Sequence, residues 1–253
     1  MLIIVCAVSV SAAPPSAGGP AGGDSDAAVF QLFTMAHEAD RYHAVEAGTA
    51  FFIDPDGTAL TNSHVVYLAR NDPSAFQLLA VIGSEFYGAT IVCANALPYA
   101  PTDTHPVVFG RDVAEVKVTR SGFLFTRLKW ANTDIEYSAH LTGLPSFAAL
   151  ALGHDPVIGD KVRVVGFGRI TERLIDTPGE RWTATGSVSA IRTTPDGTRI
   201  FRVVSTNRPR LGNSGSPALD SHGSVVGMWT WNEASNLAFG AAIASSALTP
   251  ACP

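Results

Sequence analysis

Gly48-Thr49-Ala50-Phe51-Phe52-Ile53-Asp54-Pro55-Asp56-Gly57-Thr58-Ala59-Leu60-Thr61-Asn62-Ser63-His64-Val65-Val66 is the stretch that decides how this chain folds. Two runs of apolar and β-branched residues flank Asp54-Pro55-Asp56-Gly57, a hairpin turn signal. The pattern predicts strands over 49–53 and 59–66. His64 then ends the second strand, where its ring can project from a rigid wall into a cleft.

Working outward, the same rhythm recurs. Strand character marks residues 161–166, 183–191, 200–205 and 224–231, and further turns are Pro195-Asp196-Gly197 and Asp220-Ser221-His222-Gly223. Many short strands with regular turns imply an antiparallel sandwich or barrel. No βαβ alternation is present, so a doubly wound sheet is not expected. Residues 98–111, and in part 121–145, are Pro-rich and irregular and read as surface loops, and a break near 153–156 divides two halves of similar size. Upstream, Val29, Phe30, Leu32, Phe33 and Met35 have helical spacing, with Asp26 placed to cap them. A helix packed on the outside of the domain is expected over 27–40.

Composition sets bounds. With 253 residues, 46% of them hydrophobic, the chain can bury one large all-β core or two small ones. The net charge is −5 and the 17 Lys and Arg are scattered, so no basic stripe exists to neutralise nucleic-acid phosphates or an anionic membrane surface. The apolar run of residues 2–10 ends in Ser11-Ala12-Ala13 and reads as an export signal over 1–13, although no Lys or Arg precedes it; the other reading is a buried N-terminal strand. The run is too short to span a bilayer as a helix. Residues 14–26 have almost no apolar bulk and read as a flexible linker. Cleavage leaves Cys93 and Cys252, which in an oxidising compartment either bond or stay as two thiols. The expected location is secreted or periplasmic.

Three segments carry chemistry: the stretch ending in His64; Asp112-Val113-Ala114-Glu115-Val116-Lys117-Val118; and Gly212-Asn213-Ser214-Gly215-Ser216-Pro217. A serine hydroxyl needs a base within hydrogen-bond reach, and the base needs an orienting partner. It also needs donors aimed at the developing oxyanion, here the N–H groups of Gly212 and Ser214 between permissive glycines. His64 is the candidate base. Asp112, at the mouth of an alternating strand, is the candidate acid. Asp134 heads a second plausible stretch and is the alternative.

The Thr61-Asn62-Ser63-His64-Val65-Val66, Asp112-Val113-Ala114 and Gly212-Asn213-Ser214-Gly215-Ser216-Pro217 segments, in His–Asp–Ser order, resemble the boxes of the chymotrypsin/trypsin-like serine peptidases, in particular the bacterial branch with the HtrA-type proteases and the staphylococcal glutamyl endopeptidase. The resemblance covers about residues 45–248. It implies an all-β fold of two antiparallel six-stranded barrels, about 44–150 and about 156–248 within a protease domain of 27–253. The N-terminal helix above and a short C-terminal helix would complete it. It implies a serine endopeptidase acting on polypeptide, with the triad His64, Asp112 and Ser214 and an acyl-enzyme intermediate. No cofactor, metal or nucleic acid is called for, and no peptide-binding PDZ domain is expected after residue 253. Asn213 stands where the trypsin branch carries the aspartate that pairs with a new N-terminus, so activation of that kind is not expected. By position, Arg208, Leu211 and Trp229 line the substrate pocket, although Arg208 and Arg210 also read as surface cations. Competing readings are a silent binding module on the same fold and an esterase with the same triad. Against the second, Ser216 stands where the Gly-x-Ser-x-Gly elbow needs its second glycine.

Overall fold

The computed structural model describes residues 25–38, 41–96, 110–119, 127–130, 133–136, 144–168, 179–207, 210–232 and 239–251. Fourteen strands are assigned among them. The first eight are β1 (Val29–Glu38), β2 (Arg41–Phe52), β3 (Thr58–Thr61), β4 (Phe76–Ile82), β5 (Glu85–Ala94), β6 (Ala114–Thr119), β7 (Arg127–Trp130) and β8 (Thr133–Glu136). They form one sheet in the order β1-β4-β5-β6-β3-β2-β7-β8, and an added β1–β2 pairing closes its first six strands into a barrel. The other six are β9 (Lys161–Gly168), β10 (Glu180–Thr193), β11 (Arg199–Ser205), β12 (Pro217–Leu219), β13 (Val225–Asn232) and β14 (Phe239–Ala244). They close into a second barrel, β10-β11-β14-β13-β12-β9. The fold is therefore all-β with two six-stranded antiparallel barrels.

Each barrel has its own core, and a third core joins them. Phe30, Leu32, Ala50, Phe52, Val65, Val66, Leu78 and Val116 are among the side chains filling the first. Val162, Val164, Trp182, Phe201, Val203 and Trp229 fill the second. Between the barrels, Phe51, Leu60 and Val113 of the first pack with Val165, Leu219, Val225, Met228 and Ile243 of the second. Strand alternation explains the split: Phe52 points inward and its neighbour Phe51 points out, into the joint.

Of the helix expected over 27–40, residues 29–38 form a strand, and 39–40 lie outside the described residues. Residues 25–28 turn, as one 3-10 helix, and β1 then pairs with β2 from Val29 to Glu38 and with β4 from Gln31, opposite Val81, to Ala36, opposite Phe76. Phe30 and Leu32 face the barrel interior, while Phe33 and Met35 are buried on the opposite face with Leu79 and Val81. A strand buried on both faces loses its polar alternation, and its continuous apolar run then imitates helical spacing. Asp26 caps no α-helix; its carboxylate accepts from Arg163 Nη1 of the second barrel at 2.6 Å. The expected C-terminal helix is likewise one 3-10 turn, Ser245–Ala247, with Pro250 three residues on unable to donate a helical hydrogen bond. The strand expected over 59–66 stops at Thr61, and His64 rides instead on a 3-10 turn, Ser63–Val66, that leads into α1 (Tyr67–Asn71). Its ladder ends there because Asn62 and Ser63 turn their side chains to other backbone groups.

Cys93 is disulfide-bonded, its partner lying outside the described residues. Among the described residues no helix is long and apolar enough to cross a membrane.

Trp229 stands edge-on to Trp182 in the second barrel, and a methyl placed on Gly240 would run into its indole. Gly240→Ala is expected to destabilise the protein by about 1–3 kcal/mol through overpacking. Urea unfolding followed by tryptophan fluorescence measures it.

Candidate active site

The site lies where the two barrels meet. Asn62, Ser63 and His64 are bolted to one short segment before β6. Asn62 Nδ2 donates to the Asp112 carbonyl at 2.7 Å and Ser63 Oγ to the Val113 carbonyl at 2.6 Å. The His64 backbone N–H donates to Asp112 Oδ1 at 3.0 Å, and His64 Nδ1 lies 2.5 Å from Asp112 Oδ2. Both carboxylate oxygens of Asp112 are thus engaged by the same residue, and Asp112 itself is buried. Asn62 Nδ2 also reaches Thr230 Oγ1 on β13 at 2.9 Å, which carries this frame across to the second barrel.

Burial of the His64 ring works against its charge, but the Asp112 charge, the Asp112 hydrogen bond and the Glu46 charge together outweigh it. The net effect raises the pKa of His64 above its ordinary value.

Ser214 is presented by a turn that only glycines can make. Gly212 has φ of 92° and Gly215 has φ of 87°, the left-handed region. A Cβ on Gly215 would also collide with the Thr49 carbonyl and come within 2.6 Å of Thr61 Oγ1. The Ser214 carbonyl accepts from Thr49 N–H at 2.8 Å, while Gly215 N–H donates to the Trp229 carbonyl at 2.8 Å. Among the described residues, neither Gly212 N–H nor Ser214 N–H donates to a protein acceptor, and no hydrogen bond joins Ser214 Oγ to His64. Apo catalytic contacts of this kind often tighten only with substrate bound.

Asn213 holds the turn from beneath. Its Oδ1 accepts from Arg210 N–H and its Nδ2 donates to the Phe167 carbonyl at 3.2 Å. Both partners are neutral backbone groups, so the buried side chain needs no countercharge.

The residues expected at the pocket divide. Trp229 contributes backbone only: its side chain is buried in the second core, because strand alternation turns it inward. Leu211 stands exposed at the entry to the turn. Arg210 reaches Glu180 Oε2 at 3.1 Å, and Arg208 lies outside the described residues. Asp134 falls on β8, its backbone opposite Lys129, whereas the carboxylate on His64 belongs to Asp112.

Two residues of the site escaped the sequence reading. Thr49, fully buried, gives its hydroxyl proton to the Gly212 carbonyl at 2.8 Å and accepts from Phe167 N–H at 3.0 Å. Glu46 interacts electrostatically with His64; burial pushes its carboxyl up to about 7, against the opposing influence of His64. A lone acid in the small and apolar stretch Ala44-Val45-Glu46-Ala47-Gly48 was the available signal for it.

A family model described as a trypsin-like peptidase domain matches residues 48–228. No curated protein sequence matches. Among solved structures, an inactive form of the Rv3671c protease is similar with TM-score 0.55 and 18% identity, over 88% of this chain and 86% of that one. An inactive serine-to-alanine mutant of Rv3671c from M. tuberculosis H37Rv is similar with TM-score 0.54 and 18% identity, over 88% and 83%. At that identity the likeness is one of fold.

Thr49→Val removes a donor and an acceptor together and leaves Phe167 N–H and the Gly212 carbonyl unpaired. A loss of about 2–4 kcal/mol in urea unfolding is expected. A second outcome concerns Glu46. Its folded pKa is raised from 4.5 to about 7, so the folded protein keeps a proton that the unfolded chain has released across that window. Stability from this group therefore falls as pH rises through it. The stability of Glu46→Gln relative to the unaltered protein should grow by roughly 1–3 kcal/mol between those limits, measured by urea unfolding at each pH.

Proposed function

The chain belongs to the trypsin-like peptidase family and is a serine endopeptidase, and on that premise we propose that Ser214 is its nucleophile, His64 the general base and Asp112 the orienting acid. The observation that carries the assignment is the double engagement of Asp112 by His64, through the backbone N–H and through Nδ1.

The chemistry runs as follows. Asp112 accepts from Nδ1–H and so leaves Nε2 as the basic nitrogen. Nε2 takes the proton of Ser214 Oγ as Oγ bonds to the scissile carbonyl carbon. The carbonyl oxygen becomes an oxyanion, for which Gly212 N–H and Ser214 N–H are the donors. The imidazolium, facing Asp112, returns its proton to the leaving amine as the C–N bond breaks. Water, activated by the same imidazole, then releases the acyl group from Ser214. Asn213 supports a turn held by local neutral hydrogen bonds, a reading in which no newly cut N-terminus is required.

We further propose that residues 1–13 are an export signal, that 14–26 tether it to a domain of 27–253, and that the enzyme acts in a secreted or periplasmic setting. The apolar run, the small residues at its end and the disulfide at Cys93 support this. Edman sequencing of protein recovered from the medium or periplasm should begin near residue 13 or 14; a chain still starting at Met1 would refute it.

A fluorophosphonate should label Ser214 in the folded protein, and casein should be cleaved. Ser214→Ala or His64→Ala should reduce casein turnover by at least about 10⁴-fold, and Asp112→Asn by a comparable factor through the wrong tautomer. Casein cleavage that survives Ser214→Ala would overturn the assignment. Because His64 must be neutral to act and its pKa is raised, the acid limb of kcat/KM should fall above the ordinary histidine value of about 6.5.

A further inference from the structure

The row of β2 side chains facing the first barrel interior ends in an acid. Phe52 and Ala50 belong to that barrel's core. At Gly48 the side-chain space is taken by Val65, whose methyls would lie 2.6 Å from a Cβ. Alternation places Glu46 next in the row. Across the ladder, Glu46 pairs with Thr34, and Thr34 Oγ1 donates to the Val65 carbonyl at 2.9 Å. Directly paired residues share a face, so Glu46 stands with Thr34 at the barrel mouth, against the turn that carries His64. A register shift in the β1–β2 ladder, which leaves Val45 without a partner, sits immediately before Glu46. Bulges of this kind re-aim side chains beside active sites.

Among the described residues, Glu46 Oε2 is buried with no hydrogen-bond partner. An acceptor left so is costly unless a positive charge faces it. Among the described residues, few charged groups stand on the elements around it. On β2, His43 shares the face, since it pairs with Ala36 two residues beyond Thr34. On β1, His37 is exposed and stacked on Tyr42, and Glu38 follows it. β7, which meets β2 at Tyr42, carries Arg127 and Lys129. β3 has no titratable residue, and on β9 Lys161 and Arg163 bond to Ser187 and to Asp26 and Ser25. Glu46 interacts electrostatically with His64, whose Nδ1 is held by Asp112.

We propose that Glu46 is a positioning residue for catalysis, a second carboxylate that acts through His64 and stabilises the imidazolium formed when Ser214 surrenders its proton. This rests on the triad reading given above. Burial lifts the Glu46 carboxyl toward neutral pH, and the His64 charge opposes that rise. The ionised carboxylate strengthens the base at its working pH and withdraws that support on acidification. Its removal lowers the pKa of His64, because an anion that favoured the charged ring is gone. The signature is therefore a lower alkaline plateau together with an acid limb displaced to lower pH.

The test is the rate of fluorophosphonate labelling of the full protein from pH 5 to 9. For Glu46→Gln the rate at pH 8.5 is expected to fall about 3- to 10-fold, while the ratio of the rate at pH 6 to that at pH 8.5 rises at least about threefold. Glu46→Asp should keep the limb near its unaltered position, and so should His43→Gln. An equal fractional loss at every pH, or no change, would overturn the proposal. A measurement that leaves Glu46 unaltered stands beside it: the Glu46 carboxyl ¹³C resonance should titrate at higher pH in His64→Ala than in the unaltered protein, since coupling is reciprocal, and equal midpoints would overturn it. Failure of the triad reading is separate and visible, as absence of any label on Ser214 in the unaltered protein.

Discussion

The site depends on the buried hydroxyl of Thr49. Four hydrogen bonds converge on this residue: its N–H holds the Ser214 carbonyl, its hydroxyl joins the Gly212 carbonyl to Phe167 N–H, and its own carbonyl accepts from Thr61 Oγ1. One strand of the first barrel thereby positions the Ser214 turn, a strand of the second barrel and the approach to the histidine. A hydroxyl suits this place because it donates and accepts at once, satisfying two backbone groups that water cannot reach.

Around that hub, missing side chains do as much as present ones. Gly48 admits Val65, which seats the histidine turn on β2, and Gly215 lets Ser214 approach the Thr49 backbone. Two backbone segments and a 3-10 turn can then meet within van der Waals contact at a joint between closed barrels. The acid is fixed by the same economy, because the Asp112–Val113 backbone receives Asn62 and Ser63 while its carboxylate receives His64. Geometry at His64 thus derives from local pairing of two short segments, and geometry at Ser214 from the meeting of two barrels. The two halves share the β2 strand.

Charge at the site is arranged in layers. Asp112 lies behind the imidazole, buried and fully hydrogen-bonded. Glu46 approaches from the barrel mouth, with a carboxylate oxygen that no donor among the described residues satisfies. Burial alone would leave such an acid neutral and the histidine uncharged; their mutual attraction opposes both tendencies. Asn213, by contrast, keeps the nucleophile turn free of charge.

By itself the sequence determined the all-β class and the hairpin before His64, and it marked the three short segments proposed to carry the triad, because turn residues and reactive side chains act over a few positions. It misread residues 27–40 as a helix, since burial of Phe30 and Phe33 on opposite faces erases the period-two pattern that identifies a strand. It put Trp229 at the pocket, where only strand register could show the indole turned into the core. The roles of Thr49 and Glu46 were hidden for a related reason. A threonine and a glutamate in a strand are chemically unremarked until barrel closure sets one against Gly212, more than a hundred and sixty positions away, and the other beside His64. Tertiary structure decided these points because they depend on which faces of which strands meet, and that is settled only when both barrels close.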